Sequence, residues 1–379
     1  MFIRELISPC SNLLNAMLGC GITLFPEAFQ TYGLIPSVGF IILSSILSIL
    51  CLNLYITVNS RIGKSSTIST IALYIYPPLK LVADITIILQ CLSCCLAYIT
   101  LIKTQTAYIL TLCNFKIGVW LPLYVFIIFV IFFSSLGKLD KLKFLSIMSV
   151  SSIIIVVIIS AAILTIKREG SLPLMDIQPS LLGRVGTFIF AFTCHPAVLD
   201  VQNELNHQPL FFFQVVIVLV NIIGALIFIF FGIINSYIYD FSGGKEWLLV
   251  IENNALGIIT RILVLIIVTP SIPLQMMIAI KCFVNLLNNN FAKSFTFRLF
   301  LSFISLTTIY IMSLTNIRFS NVIDLIGASV TIVVCFILPS LYYMLMDKKK
   351  KDIFNSIIAP LLIIIGVSIT GMTIKSKYF

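Results

Sequence analysis

Charged residues are scarce in this sequence. Only 10% of its 379 residues are Asp, Glu, Lys or Arg, and 60% are hydrophobic, whereas a soluble domain is typically about one quarter charged and about half apolar. This composition excludes a water-soluble globular protein. Long apolar runs recur along the chain instead, and this pattern predicts an all-α polytopic membrane protein.

Long polar segments are lacking too. Only short polar stretches separate the apolar runs, which leaves no room for a soluble catalytic or regulatory domain. The first apolar run begins almost at Met1 and does not end at a small-residue cleavage site, so we expect no cleaved signal peptide. We expect a single transmembrane domain over residues 1–379.

Ten Cys residues are present, but no disulfide framework is expected, because all except Cys113 lie within or at the edges of apolar runs. Cys91, Cys94 and Cys95 have a spacing that resembles a metal-binding pair, although no second ligand pair follows. The simpler interpretation is that they are small residues at a helix-packing surface. We expect no cofactor.

The apolar runs divide into eleven predicted helices at about 20 residues per span. These helices are placed at residues 8–30, 34–57, 79–103, 119–137, 144–166, 184–205, 210–236, 255–280, 296–314, 320–345 and 356–374. Helices 1–5 therefore occupy about 8–166, helices 6–10 about 184–345, and helix 11 about 356–374.

Lys and Arg residues are concentrated in the segments that share a membrane side with the N-terminus, and the longest basic run, Lys348 to Lys351, is one of them. By the positive-inside rule the N-terminus is cytosolic and the C-terminus extracytosolic, in a plasma membrane or a vacuole- or lysosome-like membrane. The same bias largely accounts for the net charge of +10, because basic clusters beside spans attract anionic lipid headgroups. The lipid bilayer is therefore an expected partner, and nucleic acid is not.

Helix-breaking residues lie in the middle of helix 1, in the stretch NAMLGCGITLFP. Gly19-Cys20-Gly21 can adopt an open backbone at little steric cost, and Pro26 lacks an N–H donor. Irregular backbone at membrane depth is tolerated only where it is buried in protein or lines a cavity. A glycine kink that serves packing is the alternative interpretation.

A second interruption lies five helices later, in FIFAFTCHPAVLDVQNEL, where Pro196 falls in the middle of helix 6. Interrupted segments at corresponding positions of two five-helix halves indicate a transporter built from inverted repeats, with its substrate bound between the breaks. This relation favours a binding site over a packing kink.

The backbone groups at the helix 1 break suit an amino acid. Free N–H groups near Gly21 would stabilise a carboxylate, and carbonyl groups near Leu18 and Gly19 can accept from an ammonium or coordinate a small cation. The helix 6 residues nearest to the substrate side chain are predicted to be Phe192, Thr193 and His195.

Three motifs resemble those of the amino acid/auxin permease family, which includes sodium-coupled neutral amino acid transporters and fungal vacuolar amino acid transporters. They are SNLLNAMLGCGITLFPEAFQTYG in helix 1, FAFTCHPAVLDVQNEL in helix 6 and IDLIGASVTIVVCFILPSLYYM in helix 10. The resemblance implies a LeuT-like fold, in which two inverted repeats of five helices precede an eleventh helix and helices 1 and 6 are broken. It also implies an amino-acid substrate. We expect the protein to function as a monomer.

The resemblance implies roles for particular residues. Asn15 and the break at Gly19, Cys20 and Gly21 would bind the amino-acid backbone or its coupling ion. In helix 8, RILVLIIVTPSIPL resembles a segment whose hydroxyl groups, here those of Thr269 and Ser271, help to hold sodium together with Asn15. The alternative is that these hydroxyls bond the carbonyl groups of their own helix.

Ionisable residues at membrane depth are candidates for proton coupling. His195 could exchange a proton or contact the substrate, or it could be a neutral residue bonded to unwound backbone. Glu27 could form part of a gate or reach the lipid headgroups of the outer leaflet. Asp200 and Glu204, spaced i,i+4, could relay protons or pair with a lysine. The coupling ion, Na⁺ or H⁺, stays open.

These observations predict a secondary active transporter of amino acids that works by alternating access, and not an enzyme. Two other functional classes are alternatives. A membrane-embedded acyl or lipid transferase would use His195 with Asp200, but catalysis of that kind needs a clustered nucleophile and base near an interface. An amino-acid receptor that does not transport is the third class.

Overall fold

The computed structural model describes residues 2–19, 21–62, 67–115, 117–135, 143–176, 185–204, 208–241, 246–287, 294–315, 322–323, 326, 329–347 and 351–378. Within them the chain forms eleven helical spans, numbered here in chain order. They are Phe2–Leu18 with Phe25–Tyr32 (span 1), Leu34–Ile62, Pro78–Leu112, Trp120–Ser134, Lys143–Ile166, Val185–Ala191 with His195–Glu204 (span 6), Leu210–Ile238, Ala255–Val268 with Ser271–Leu287 (span 8), Phe295–Ser313, Val330–Leu345 and Ile353–Tyr378. Two short helices, Ile68–Ile75 and Trp247–Val250, precede spans 3 and 8.

The lengths of these helices fit a bilayer. Eight of the described helices are long and apolar enough to cross a membrane, and spans 4 and 10 are shorter apolar helices. Span 3 extends to Leu112 and span 8 to Leu287, both beyond their predicted ends, and span 8 is divided where the prediction has one helix. The apolar pattern does not predict the two short helices, because each is shorter than a span.

The spans pack as two groups. Span 7 packs along span 2 and both helices of span 1, and span 6 contacts spans 1 and 2; we call these four spans the bundle. Span 3 packs along span 9 and the second helix of span 8, and span 4 contacts the same two; we call these four the scaffold. Span 5 contacts spans 1 and 7 on one side and span 8 on the other. The chain thus has an all-α LeuT-like fold of two five-span repeats followed by span 11.

Polar side chains lie inside this assembly and large apolar ones lie outside. Asn15 and Asn221 are fully buried, whereas Leu43, Ile46 and Phe230 are each about half exposed. In water this distribution would be unfavourable, but lipid tails are as apolar as these side chains. The surface is therefore suited to a hydrocarbon solvent.

Span 7 approaches span 1 closely through two glycines. A Cβ atom on Gly224 would lie 2.9 Å from Sδ of Met17, and one on Gly232 would lie 2.5 Å from Cδ2 of Phe29. Phe29 is fully buried, so its ring has little room to move. These contacts hold both helices of span 1 against span 7.

We expect Gly232→Ala to destabilise the protein by about 1–3 kcal/mol, because the added methyl group overpacks the contact with Phe29. Gly39→Ala in span 2 is the matched control, since no atom from another part of the described chain lies within 4 Å of its added Cβ. The measurement is thermal unfolding of both variants purified in detergent. Equal midpoints for the two variants would show that this contact tolerates a side chain.

Candidate functional site

Span 1 is interrupted at its paired glycines. Its first helix ends at Leu18, a short 3₁₀ helix covers Gly21–Leu24, and the α-helix resumes at Phe25. Pro26 lies in the first turn of the resumed helix, where a missing N–H costs no helical hydrogen bond. Cys20, which the sequence includes in the site, lies outside the described residues.

The glycines let span 1 approach two other spans. A Cβ atom on Gly19 would lie 3.0 Å from Oη of Tyr98 in span 3. One on Gly21 would lie 3.2 Å from both Cα and Cβ of Ala191, which ends the first helix of span 6. The breaks in spans 1 and 6 are therefore adjacent in space.

Span 6 is interrupted over the three residues between Ala191 and His195, and Pro196 falls in the first turn of its second helix. The prediction that helices 1 and 6 are broken is confirmed. The interruption frees backbone groups, and the Ser48 hydroxyl of span 2 donates to the Phe192 carbonyl oxygen at 3.3 Å. Buried irregular backbone is tolerated because such partners are present.

A small cavity of about 10 Å³ adjoins both breaks. Its lining residues come from spans 1, 3, 6 and 8: Ala16, Met17, Gly21, Cys94, Tyr98, Phe190, Thr193 and Gln275. Because a single water needs at least about 10–15 Å³, the cavity has room for about one water molecule at most in this conformation. Gly21 and Thr193 are the members that the sequence pointed to, whereas the residues of spans 3 and 8 were missed.

Other predicted substrate residues are buried but do not line the cavity. Leu18 is fully buried, and the Phe192 ring packs edge-on against Phe228 of span 7 at a centroid distance of 5.3 Å. His195 Nδ1 lies 3.2 Å from Sγ of Cys335 in span 10, and its Nε2 has no hydrogen-bond partner among the described residues. His195 therefore faces a thiol.

Span 10 covers the span 6 break through a π-helical turn, Val333–Ile337. The Val334 carbonyl oxygen accepts from Oη of Tyr55 at 2.8 Å, and Cys335 Sγ lies 3.7 Å from Oγ1 of Thr193. Single π turns are frequent at functional sites. Cys335 was missed as a site residue, although it lies inside the quoted helix 10 motif.

Asn15 joins three spans beside the span 1 break. Its Nδ2 donates to Oγ of Ser146 in span 5 at 3.4 Å, and its Oδ1 accepts from Oγ of Ser271 in span 8 at 3.3 Å. Nearby, Ser149 of span 5 donates to the Ile267 carbonyl oxygen at 2.8 Å. The structure thus brings together the oxygens of Asn15 and Ser271 and adds the Ser146 hydroxyl, a set suited to a small hard cation.

Thr269, the third predicted sodium ligand, bonds within its own helix. Its hydroxyl donates to the Leu265 carbonyl oxygen, four residues earlier, at 2.7 Å. It precedes the start of the second helix of span 8 at Ser271. In this conformation the hydroxyl of Ser271, and not that of Thr269, contacts Asn15.

An ion pair joins the bundle to the scaffold at the end where span 1 begins, which we call the N-side. Asp200 Oδ1 of span 6 lies 2.9 Å from Lys281 Nζ of span 8, and their side chains are 15% and 31% exposed. Both residues line a cavity of about 20 Å³, as does Cys282. The Asp200 carboxylate thus has a lysine partner.

The other predicted carboxylates are placed differently. Glu27 is 6% exposed and lies in the resumed helix of span 1, so it is buried in protein. Glu204 ends the second helix of span 6, and its side chain lies outside the described part of the chain. A further carboxylate, that of Asp84 in the second turn of span 3, is fully buried and accepts from the Ser69 hydroxyl.

A second connection between the bundle and the scaffold lies at the opposite end, the C-side. Fully buried Arg261 of span 8 donates to the carbonyl oxygens of Leu248 and Ile251, each at 2.8 Å. Trp247 Nε1 donates to Oδ1 of Asn235 in span 7 at 2.9 Å. Residues 246–252, which we call the lid, are therefore attached to the scaffold and the bundle at once.

An ion pair on the same side also attaches the lid to the end of span 5. Lys167 Nζ lies 2.5 Å from Oε1 of Glu252 and 2.9 Å from Oε2 of Glu169. Burial alone would lower the pKa of Lys167, but the hydrogen bonds to these carboxylates outweigh it and raise the pKa above its usual 10.5. Lys167 is therefore charged at every physiological pH.

Comparison with known proteins agrees with this geometry. A family model described as transmembrane amino acid transporter protein matches residues 6–378. Among solved structures, three mutants of a manganese transporter from Eremococcus coleocola each match with a TM-score of 0.64 and 12% identity, over 99% of this chain and 88% of theirs. At that identity the likeness shows the fold alone.

Proposed function

This chain belongs to the transmembrane amino acid transporter family, and we propose that it is an ion-coupled secondary transporter whose substrate binds between the breaks of spans 1 and 6. The observation that carries the proposal is the contact between these breaks, where Gly21 meets Ala191 beside the central cavity. The helix that resumes after Gly21 directs the positive end of its dipole toward this region, which suits a carboxylate.

The two connections between the bundle and the scaffold, which we call the N-side and C-side closures, support alternating access. The ion pair of Asp200 and Lys281 ties the bundle to the scaffold at the N-side, and the lid held by Arg261 ties them at the C-side. Rocking of the bundle against the scaffold would release one closure while keeping the other. The basic residues that flank the spans at the N-side support a cytosolic N-terminus, in a plasma membrane or a vacuole-like membrane.

Other functions are less well supported. The structural neighbours are named as manganese transporters, but no group of three or more His, Cys, Asp or Glu that could hold a metal occurs among the described residues. For a transferase, His195 and Asp200 would need to act together, yet His195 faces Cys335 and Asp200 pairs with Lys281.

Uptake into proteoliposomes tests the proposal. We expect accumulation of at least one radiolabelled amino acid under an inward Na⁺ or H⁺ gradient, and none when the gradient is collapsed. Manganese uptake measured in the same vesicles is the control for the metal alternative. Binding of an amino acid without accumulation under either gradient would instead support a receptor.

If sodium is the coupling ion, Ser271→Ala should weaken the apparent sodium affinity roughly tenfold, the typical loss for one interaction with a charged group. Thr269→Ala is the matched control, because its hydroxyl is already used by the Leu265 carbonyl. The measurement is the sodium dependence of uptake for each variant. Equal effects of the two substitutions would argue against a sodium site at Asn15.

The N-side closure predicts that Asp200→Asn or Lys281→Gln exposes the native Cys282, which lines the same cavity. Its labelling by a water-soluble maleimide should rise roughly two- to fivefold, because partly exposed ion pairs contribute little more than about 1 kcal/mol. The charge exchange Asp200→Lys with Lys281→Asp should restore the slow labelling of Cys282 that is expected for the wild type.

Asp352→Asn is the matched control for this experiment. It breaks the ion pair between Arg61 of span 2 and Asp352, which does not join the bundle to the scaffold. Labelling that is lost when the same variants also carry Cys282→Ser is the labelling of Cys282 itself. Labelling that is unchanged in the single variants would contradict a gating role for Asp200 and Lys281.

A further inference from the structure

Gln275 places an unused hydrogen-bond acceptor at the central cavity. It is 4% exposed, it lines the cavity, and its Oε1 has no hydrogen-bond partner among the residues that the structure describes. It lies one helical turn after Ser271, which contacts Asn15 of span 1, so both side chains are on the face of span 8 that is turned toward span 1. A buried acceptor without a partner costs free energy, and a ligand that donates to it would recover that cost.

The other described lining residues limit what this ligand can be. None of them carries a charge. The Thr193 hydroxyl donates to the Ile189 carbonyl oxygen at 3.3 Å, and its oxygen lies 3.7 Å from Sγ of Cys335, which leaves one lone pair of that oxygen as a further acceptor. In a cavity with this lining a charged substrate side chain would be without a counter-ion, and an aliphatic one would leave Gln275 Oε1 unpaired. A neutral group with N–H or O–H donors satisfies both conditions.

We propose that Gln275 determines side-chain specificity and that the preferred substrates are amino acids whose uncharged side chains end in a carboxamide or a hydroxyl. This inference rests on the proposed transport function. Gln275 Oε1 accepts from the substrate side chain, while the backbone of the span 1 break binds the substrate carboxylate. The competing assignment, in which Oε1 accepts from the substrate ammonium, predicts equal importance for every amino acid.

The test is uptake of radiolabelled alanine in proteoliposomes, with unlabelled glutamine, serine, leucine and lysine as competitors. In the wild type, glutamine and serine should compete roughly tenfold better than leucine, the usual discrimination from one hydrogen bond. Gln275→Leu should abolish this difference, so that leucine inhibits the remaining alanine uptake as well as glutamine and serine do. Thermal unfolding of the purified variant in detergent, compared with that of the wild type, reports whether the variant is folded.

Gln90→Leu is the matched control. Gln90, in span 3, is also buried with unpartnered amide atoms, but it does not line the cavity. Its substitution should leave the order of competitors unchanged. If Gln275→Leu does not fold, the isosteric Gln275→Glu decides the question, because its carboxylate should make lysine a competitor.

Three results would overturn the inference. They are a wild type that does not prefer glutamine or serine over leucine, an equal loss of all substrates in Gln275→Leu, and a Gln275→Glu variant with the wild-type order of competitors. Absence of uptake for every amino acid in the wild type would instead refute the proposed function, so the two failures are distinguishable.

Discussion

Every backbone N–H and C=O inside a bilayer needs a partner within the protein, and this requirement governs the centre of the molecule. A break in one span is stable only when neighbouring spans supply what the helix no longer does. Span 2 supplies the Ser48 hydroxyl to the Phe192 carbonyl oxygen, and its Tyr55 supplies a hydroxyl to Val334 in the π turn of span 10. The breaks thus depend on polar side chains of span 2, which contributes no described residue to the lining of the central cavity.

Sequence reasoning found those features that single residue types encode. Glycine and proline marked the breaks at Gly21 and Pro196, because their backbone properties hold in any environment. The π turn of span 10 contains neither residue type, and it depends on a hydroxyl from Tyr55, far away in sequence. The division of span 8 beside Ser271 also went unpredicted, although Pro270 marks it, since a proline can be accommodated within an unbroken transmembrane helix.

The site residues also fall into those that a residue type marks in the sequence and those that only the packing of the helices reveals. Those on spans 1 and 6 could be named because the breaks locate them, and Gly21 and Thr193 do line the cavity. Tyr98 and Gln275 lie on helices whose polar residues occur on several faces, and only packing decides which face meets the centre. Asn15 and Ser271 were paired through the family resemblance, whereas Ser146 was not, because span 5 carries no motif that points to it.

The two closures differ in physical character, and this difference bears on how the protein opens. Asp200 and Lys281 are partly exposed, so water can solvate both charges when they separate, and the net cost is small. Arg261 is fully buried and satisfied largely by carbonyl groups of the lid. Removing those acceptors while the guanidinium stays buried would be far more costly. Under the proposed alternating access, the lid would therefore move together with span 8 and separate from span 7 at Trp247. Trp247 is held there by one neutral hydrogen bond to Asn235 and an edge-on contact with Phe231, and neither contact involves a charge.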